Sequence, residues 1–509
     1  MKFFLGIDVG TSGVKAVLVD EKGRVKDAAT MAHPLATPRP GWAEQNPKDW
    51  WKATVGAITQ LLRRTRLLPT QVTAIGLSGQ MHSSVFLDGN NEVIRPALLW
   101  CDGRTTEECR EITRIVGEKQ LSEWVANPAL EGFTLPKVLW LRKHEPAAFA
   151  RLAKVVLAKD YIRYRLTGTL ASEPSDASAT LIYDTAHMRW SEPIMRAMGL
   201  DLRLLPEVGA STEVLGRISR QAAKATGLAE GTPVAGGGAD NACGAVGVGL
   251  VSPGEAVASW GTSGTVLTPT SEPQVDPAMR AHTFCHVVPS TWYLMGVVLT
   301  AGGAFAWFAR ELAKELSSKR DGASTKGGVV KHNVEILLNR EAERIAPGAE
   351  GVTFLPYLQG ERTPHRDASA RAAFTGLSLV HTRAHMSRAV IEGICFGLRD
   401  SVEILRGLTK SIERVLVTGG GAKSAFVRKM QADVYGLPVV RVNREEGPAF
   451  GAALLGAVSV GAFPDLATAC QRTLRRLEPE PCDPQAHSAY DAPYARFRAL
   501  YPALKSVSF

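Results

Sequence analysis

The chain has 509 residues, of which 45% are hydrophobic and 21% charged. That is too apolar for a disordered chain and too long for one core, because single cores stop growing at roughly 250–300 residues, so two domains are expected. The net charge is +9, but basic and acidic residues interleave, and the densest basic clusters (63–66 and 472–476) sit beside leucines at helical spacing, so they read as solvated helix faces and no nucleic-acid partner is expected.

In chain order, the apolar run 3–9 reads as a strand. It enters Gly10-Thr11-Ser12-Gly13, after which 14–19 reads as a second strand, ended by turn residues at 20–23. Asp8 arrives before a hydrophobic leader can build, so no secretory signal is expected. Residues 47–64 have helical spacing, and 72–77 form a strand pattern running into Ser78-Gly79-Gln80-Met81-His82. Gly236-Gly237-Gly238-Ala239-Asp240-Asn241 then opens a helix of small residues. The tetrapeptide returns as Gly261-Thr262-Ser263-Gly264, again between two strand patterns. The first copy begins at 10 and the second at 261, an offset of 251 residues and close to half the chain. A duplicated α/β domain is expected, with boundaries 1–246 and 247–509.

Two uncharged stretches, 287–309 and 447–464, are broken by proline and glycine, so no membrane span is expected. Residues 317–331 read as an exposed loop, 384–405 as a helix, and 414–417 as a strand entering Thr418-Gly419-Gly420-Gly421. Residues 447–456 open a second small-residue helix. Together with the one after Gly236-Gly237-Gly238, it suits either a tight interdomain hinge or a crowded core. The end is irregular around 477–481 and closes with a helix over 489–504. The seven cysteines are scattered and form no CxxC, which fits free thiols in a reducing compartment, so a soluble cytoplasmic protein is expected.

No Walker A, GxGxxG or HExxH pattern occurs. A GTSG turn between two strands presents backbone N–H groups and two hydroxyls at one tip and can cradle an anion. Two such tips, one per domain, would hold phosphates between them. Asp8, two residues before the first tip, is placed to hold Mg²⁺, a hard cation that takes oxygen ligands and substrate phosphates. Lys15 reads as a strand-surface lysine. Asp240 is an isolated acid in a glycine-rich, small-residue segment: either a base for proton removal from a hydroxyl or a helix N-cap. His82 reads either as a satisfied structural histidine or, beside Gln80 and Met81, as a partner for a sugar hydroxyl. Trp50, Trp51 and Trp100 read as core, and Asp102 with Arg104 as a substrate-side pair or an ion pair.

In order and spacing, these segments resemble the FGGY carbohydrate kinases from Gly6 to about Gly456. The matching blocks are Gly6-Ile7-Asp8-Val9-Gly10-Thr11-Ser12, Ser78 to His82, Leu99 to Arg104, Gly238 to Gly244, Phe354-Leu355-Pro356-Tyr357 with Gly360 to Pro364, and Gly376-Leu377 through Arg388, Ala389 and Glu392. The resemblance implies two ribonuclease-H-like domains of the actin and hexokinase type, with ATP and a sugar in the cleft. It implies Asp240 as the catalytic base and Met81, His82, Asp240 and Asn241 at the sugar. Gly10, Thr11, Ser12, Gly261 and Thr262 fall at the phosphates, Gly302, Gly420 and Gly421 on the nucleotide side, and Asp8 at Mg²⁺. The Gln80-Met81-His82 segment implies D-xylulose as the phosphoryl acceptor. Kinases for ribulose, glycerol or gluconate are the alternatives within the family, and a nucleotide-driven assembly protein is the alternative outside it; a homodimer is left open. Two departures stand out. Ala239 is an extra residue before Asp240, and Ala425 falls where some relatives place an adenine-contacting Asn.

Overall fold

The computed structural model describes residues 2–314, 316, 330–409 and 411–507. The apolar run at the N-terminus forms β1 (Phe3–Val9), buried on both faces as a continuous apolar strand should be. β2 (Gly13–Asp20) pairs with it antiparallel, from Phe3 opposite Asp20 to Val9 opposite Val14. β3 (Val25–Ala32) adds antiparallel to β2. Helix α1 (Pro47–Thr65), capped by the Asn46 side chain, covers one face. β4 (Val72–Gly79) then lies parallel to β1 on its other side, and the sheet continues through Pro233–Ala235 to Val214–Arg217.

After α2 (Asp240–Gly247), the same order is laid down again. β5 (Glu255–Trp260) and β6 (Gly264–Thr270) are antiparallel, with Trp260 opposite Gly264, and β7 (Trp292–Val298) adds antiparallel to β6. Helix α3 (Gly302–Glu311) and the long helix α4 (Arg383–Thr409) pack on this half. β8 (Arg414–Gly419) then runs parallel to β5, as β4 does to β1. The two halves therefore share the order β3-β2-β1-β4 and β7-β6-β5-β8.

Helix α5 (Pro448–Ser459) returns from the second half and packs on the first sheet. Here glycine is required by proximity: a Cβ on Gly6 would stand 1.8 Å from Ala449 O, and one on Gly76 1.7 Å from Ala452 O. On its other side, α5 meets α2 so closely that a Cβ on Gly451 would lie 1.9 Å from Cys243 O. The two small-residue helices are thus packed on each other.

Of the loop expected over 317–331, residues 317–329 lie outside the described residues, and the last two begin the helix Val330–Glu343. The closing helix expected over 489–504 is Asp491–Leu504, and a short helix, Pro484–Ala489, precedes it. All seven cysteines are free thiols, five of them buried. Among the described residues, no helix is long and apolar enough to cross a membrane.

Candidate active site

The two GTSG tips project from corresponding ends of the two sheets into one cleft. Thr11 from the first and Gly261 and Ser263 from the second line a cavity of about 200 Å³, together with Met81, His82, Trp100, Asp240, Asn241 and Arg362. Each tip closes on itself, through Gly10 N–H to Gly13 O (3.1 Å) and Gly261 N–H to Ser263 O (3.0 Å).

Side chains brace the first tip. Gln45 Nε2 donates to Thr11 O (2.7 Å), Trp100 Nε1 to Thr11 Oγ1 (2.9 Å), and Thr11 Oγ1 to Gln80 Oε1 (3.3 Å). Gln45 Oε1 in turn accepts from Trp50 Nε1 (2.9 Å) and Gln80 Nε2 (3.1 Å). Gln80 therefore supports the tip from behind. Trp100 was expected in the core and instead forms cleft wall, because its indole N–H needs an acceptor that the tip supplies. Trp50 is wholly buried.

The second tip is braced by backbone: Gly302 N–H donates to Gly261 O (2.8 Å), and Ala301 and Gly303 N–H donate to Thr262 O (3.0 and 2.9 Å). A Cβ on Gly302 would stand 2.4 Å from Gly261 O, so the close approach excludes a side chain. Gly420 lines a neighbouring cavity of about 260 Å³ with Thr418, Lys423, Arg441 and Arg444, whereas Gly421 packs on the Trp260 ring. Ala425 is the first residue of a helix capped by Ser424, and neither cavity includes it.

Asp240 lines the cavity, and Asp8, near the end of β1, is outside the lining but acts on Asp240 through its charge. Asp8 accepts from Ser78 Oγ (3.0 Å), and burial raises its pKa to about 6, opposed by that bond and by Lys15. Burial, then the charge of Asp8, raises Asp240 to about 7, against the N–H groups of Asn241 and Met81. Asp240 opens α2, and its carboxylate accepts from Asn241 N–H (2.8 Å) and Nδ2 (3.1 Å). The residue before it is pinned: Ala239 N–H donates to Ser175 Oγ (2.9 Å), which itself donates to Glu173 (2.7 Å). Beneath lies a buried network in which Lys159 meets Asp160 (2.8 Å), Asp176 (2.9 Å) and Glu173 (3.3 Å). This support has no local signal in the sequence, because its charges lie 64 to 81 residues upstream of the acid they hold in place.

His82 forms the far wall. Its backbone is left-handed (φ 65°), and its carbonyl takes hydrogen bonds from buried Lys137 Nζ (2.9 Å), Thr134 Oγ1 (3.3 Å) and Ser84 Oγ (3.0 Å), which offset the strain. Nδ1 lies 2.5 Å from Ala179 O. A carbonyl only accepts, so Nδ1 carries the proton and Nε2 is an acceptor. Burial lowers the His82 pKa to about 3, so the ring is neutral. Met81 Sδ sits 3.4 Å from Asn241 Nδ2, joining the wall to α2. Asp102 and Arg104 form a buried ion pair (2.7 Å) with the guanidinium over Trp42, outside the cavity lining.

A duplicated sheet, paired glycine tips and one acid between them define a two-lobed phosphotransferase. Residues 3–247 match the N-terminal domain, and 256–460 the C-terminal domain, of the FGGY family of carbohydrate kinases, and the chain belongs to that family. It is 39% identical to the xylulose kinase of Bacillus subtilis, over 93% of this chain and 92% of that one. Among solved structures it resembles the ligand-bound xylulose kinase of Lactobacillus acidophilus (TM-score 0.91, 26% identity, covering 100% of this chain and 99% of that one). It also resembles the gluconate kinase of the same organism (TM-score 0.90, 27% identity, covering 100% and 99%). Fold likeness therefore does not select the sugar. Kinases of this family use ATP and a divalent metal.

Proposed function

We propose that this chain transfers the γ-phosphoryl group of ATP to the C5 hydroxyl of D-xylulose, yielding D-xylulose 5-phosphate and ADP. The observation that carries this reading is the meeting of Asp240, the Met81–His82 wall and both tips in one cavity. Close similarity to xylulose kinases along almost the whole chain supports the ketopentose.

Asp240 takes the C5 hydroxyl proton as phosphoryl transfer proceeds. Its pKa near 7 suits a base that must be deprotonated at neutral pH yet retain affinity for the proton. His82 Nε2 accepts from a sugar hydroxyl, Asn241 offers its amide, and Met81 gives an apolar wall. Gly10, Thr11 and Ser12 on one side, and Gly261 and Thr262 on the other, hold the phosphate chain. Gly302 braces the second tip, and Gly420 and Gly421 shape the nucleotide end. Residues 1–246 supply the sugar end and 247–509 the nucleotide end, with α5 tying the second half to the first sheet. Closure of the halves excludes water as a competing acceptor.

The divalent ion we propose is Mg²⁺, held through Asp8 with Asp240 beside it. The donor set fits: two hard carboxylates repel each other in a buried site, and no cluster of three or more His, Cys, Asp or Glu occurs among the described residues. This is the arrangement of an ion that draws its other ligands from water and phosphate. When bound, it would neutralise charge on the phosphates.

A coupled ADP-release assay over pentuloses, hexuloses and polyols tests the reading. D-Xylulose should give the highest kcat/KM. A higher value with gluconate or glycerol, or ADP release equally fast without sugar, would overturn it.

A further inference from the structure

Arg362 is a residue whose chemistry the site as described leaves unused. It belongs to the segment Glu361-Arg362-Thr363, which is clamped to the second half. Thr363 N–H donates to Val297 O (3.0 Å), Thr363 Oγ1 accepts from Val297 N–H (3.0 Å), and Glu361 Oε1 accepts from Leu299 N–H (2.9 Å). From this anchor the side chain reaches the first half. A Cβ on Gly132 would stand 3.2 Å from its terminal nitrogen, so the glycine leaves the space that the guanidinium fills.

The guanidinium lines the cleft cavity with His82, Trp100 and Met81. Among the described residues it makes no hydrogen bond or ion pair. Its neighbour Glu361 spends Oε1 on the N–H groups of Leu299 and of Arg362 itself (2.8 Å). A permanently charged group with five donors facing a cleft calls for acceptor oxygens from a ligand.

The sugar is the ligand in reach: Met81 and His82, the wall proposed for it, share the cavity with Arg362, and Gly132 of the same half leaves the guanidinium its space. The charges acting on Arg362 are Glu131 and Glu361, and its own charge is felt at His82, His282 and Lys137. With the C5 hydroxyl at Asp240, an extended ketopentose places its C1–C2 end farthest from the acid.

We propose that Arg362 reads the ketose: its guanidinium donates to the C2 carbonyl oxygen, which lies in the plane of an sp² carbon, a position that the tetrahedral C2 of an alditol cannot give its hydroxyl, and so favours ketoses over the corresponding alditols. The assignment rests on the sugar-kinase reading above and refines its substrate end.

The test compares the wild type with Arg362→Gln and Arg362→Lys on D-xylulose and on xylitol and D-arabinitol, the two alditols formed by reducing its C2. Loss of a charged hydrogen bond is expected to lower kcat/KM on D-xylulose about ten- to hundredfold, mostly through KM. The loss on the alditols should be at least tenfold smaller, and Arg362→Lys should recover part of the ketose efficiency. Melting curves establish that both variants fold. Equal losses on ketose and alditols would overturn the proposal, as would a rise in the KM for ATP as large as that for the sugar, which would put Arg362 at the phosphates. A wild type that prefers alditols also overturns it. If the wild type prefers another ketose, the D-xylulose reading fails, and the same contrast on that ketose and its alditols decides Arg362.

Discussion

The two glycine tips carry the same tetrapeptide on the same strand order, yet their surroundings differ in kind. Two residues before the first tip stands Asp8; two residues before the second stands Ser259. The first tip is held by Gln45, Gln80 and Trp100 side chains, the second by backbone N–H groups at the start of α3. The two halves carry two like glycine turns, each closed on its own backbone. The acid–base and metal chemistry proposed here gathers beside the first, where Asp8 acts on Asp240. Identical local sequence therefore does not give identical function; what the sheet and its neighbours place beside the tip decides it.

The largest expected effect is at the acid that breaks the symmetry. Asp240→Asn should lower turnover by ~10²–10⁴-fold, the usual worth of a general base, while calorimetric sugar affinity changes only a few-fold. Next come the paired positions. Asp8→Asn should raise the Mg²⁺ concentration needed for half-maximal rate and lower turnover at least about tenfold, as loss of a charged ligand would. Ser259→Ala should raise the KM for ATP by no more than about tenfold, the worth of one neutral hydrogen bond, without shifting the metal requirement. Equal metal dependence in the two variants would dissolve the asymmetry.

The braces give a smaller contrast. Gln45→Ala removes bonds to Thr11, Trp50 and Gln80, and should raise the KM for ATP by about tenfold. Gly302→Ala forces a methyl group against Gly261 O, so the backbone itself must move and both melting temperature and ATP affinity should fall further.

How much of this was legible in the sequence follows from how local each feature is. The strand–GTSG–strand units, the helix at 47–64 and the acid at Asp240 are written in contiguous residues and were readable. So was the duplication, because its two copies share a tetrapeptide and its context. Trp100 was not readable as cleft wall: a tryptophan's destination depends on which acceptor its N–H meets, and Thr11 is 89 positions away. Arg362 lies in a block that the sequence marks, Gly360 to Pro364, but its place in the cleft, like that of Gln45 behind the first tip, depends on contacts distant in the chain. The small residues after Gly447 signal close packing, but the partner glycines, Gly6 and Gly76, lie at the other end of the chain.

The smallest predicted effect concerns stability. The raised pKa of Asp240 means that the folded state holds this proton more tightly than the unfolded state, so stability declines as pH rises from about 4 to about 7. Asp240→Asn removes that cost. Its melting temperature should exceed the wild type's by about one to a few degrees at pH 8, and the gap should close toward pH 4, where both forms are neutral. A gap independent of pH would mean that the acid is not held against its charge.

Whether the sugar is the phosphoryl acceptor is read by ³¹P NMR of the wild-type enzyme with ATP, Mg²⁺ and D-xylulose. A new phosphomonoester resonance coupled to the C5 protons should grow in step with ADP and be absent when the sugar is omitted. ATP consumption that yields only inorganic phosphate, with or without the sugar, would contradict it.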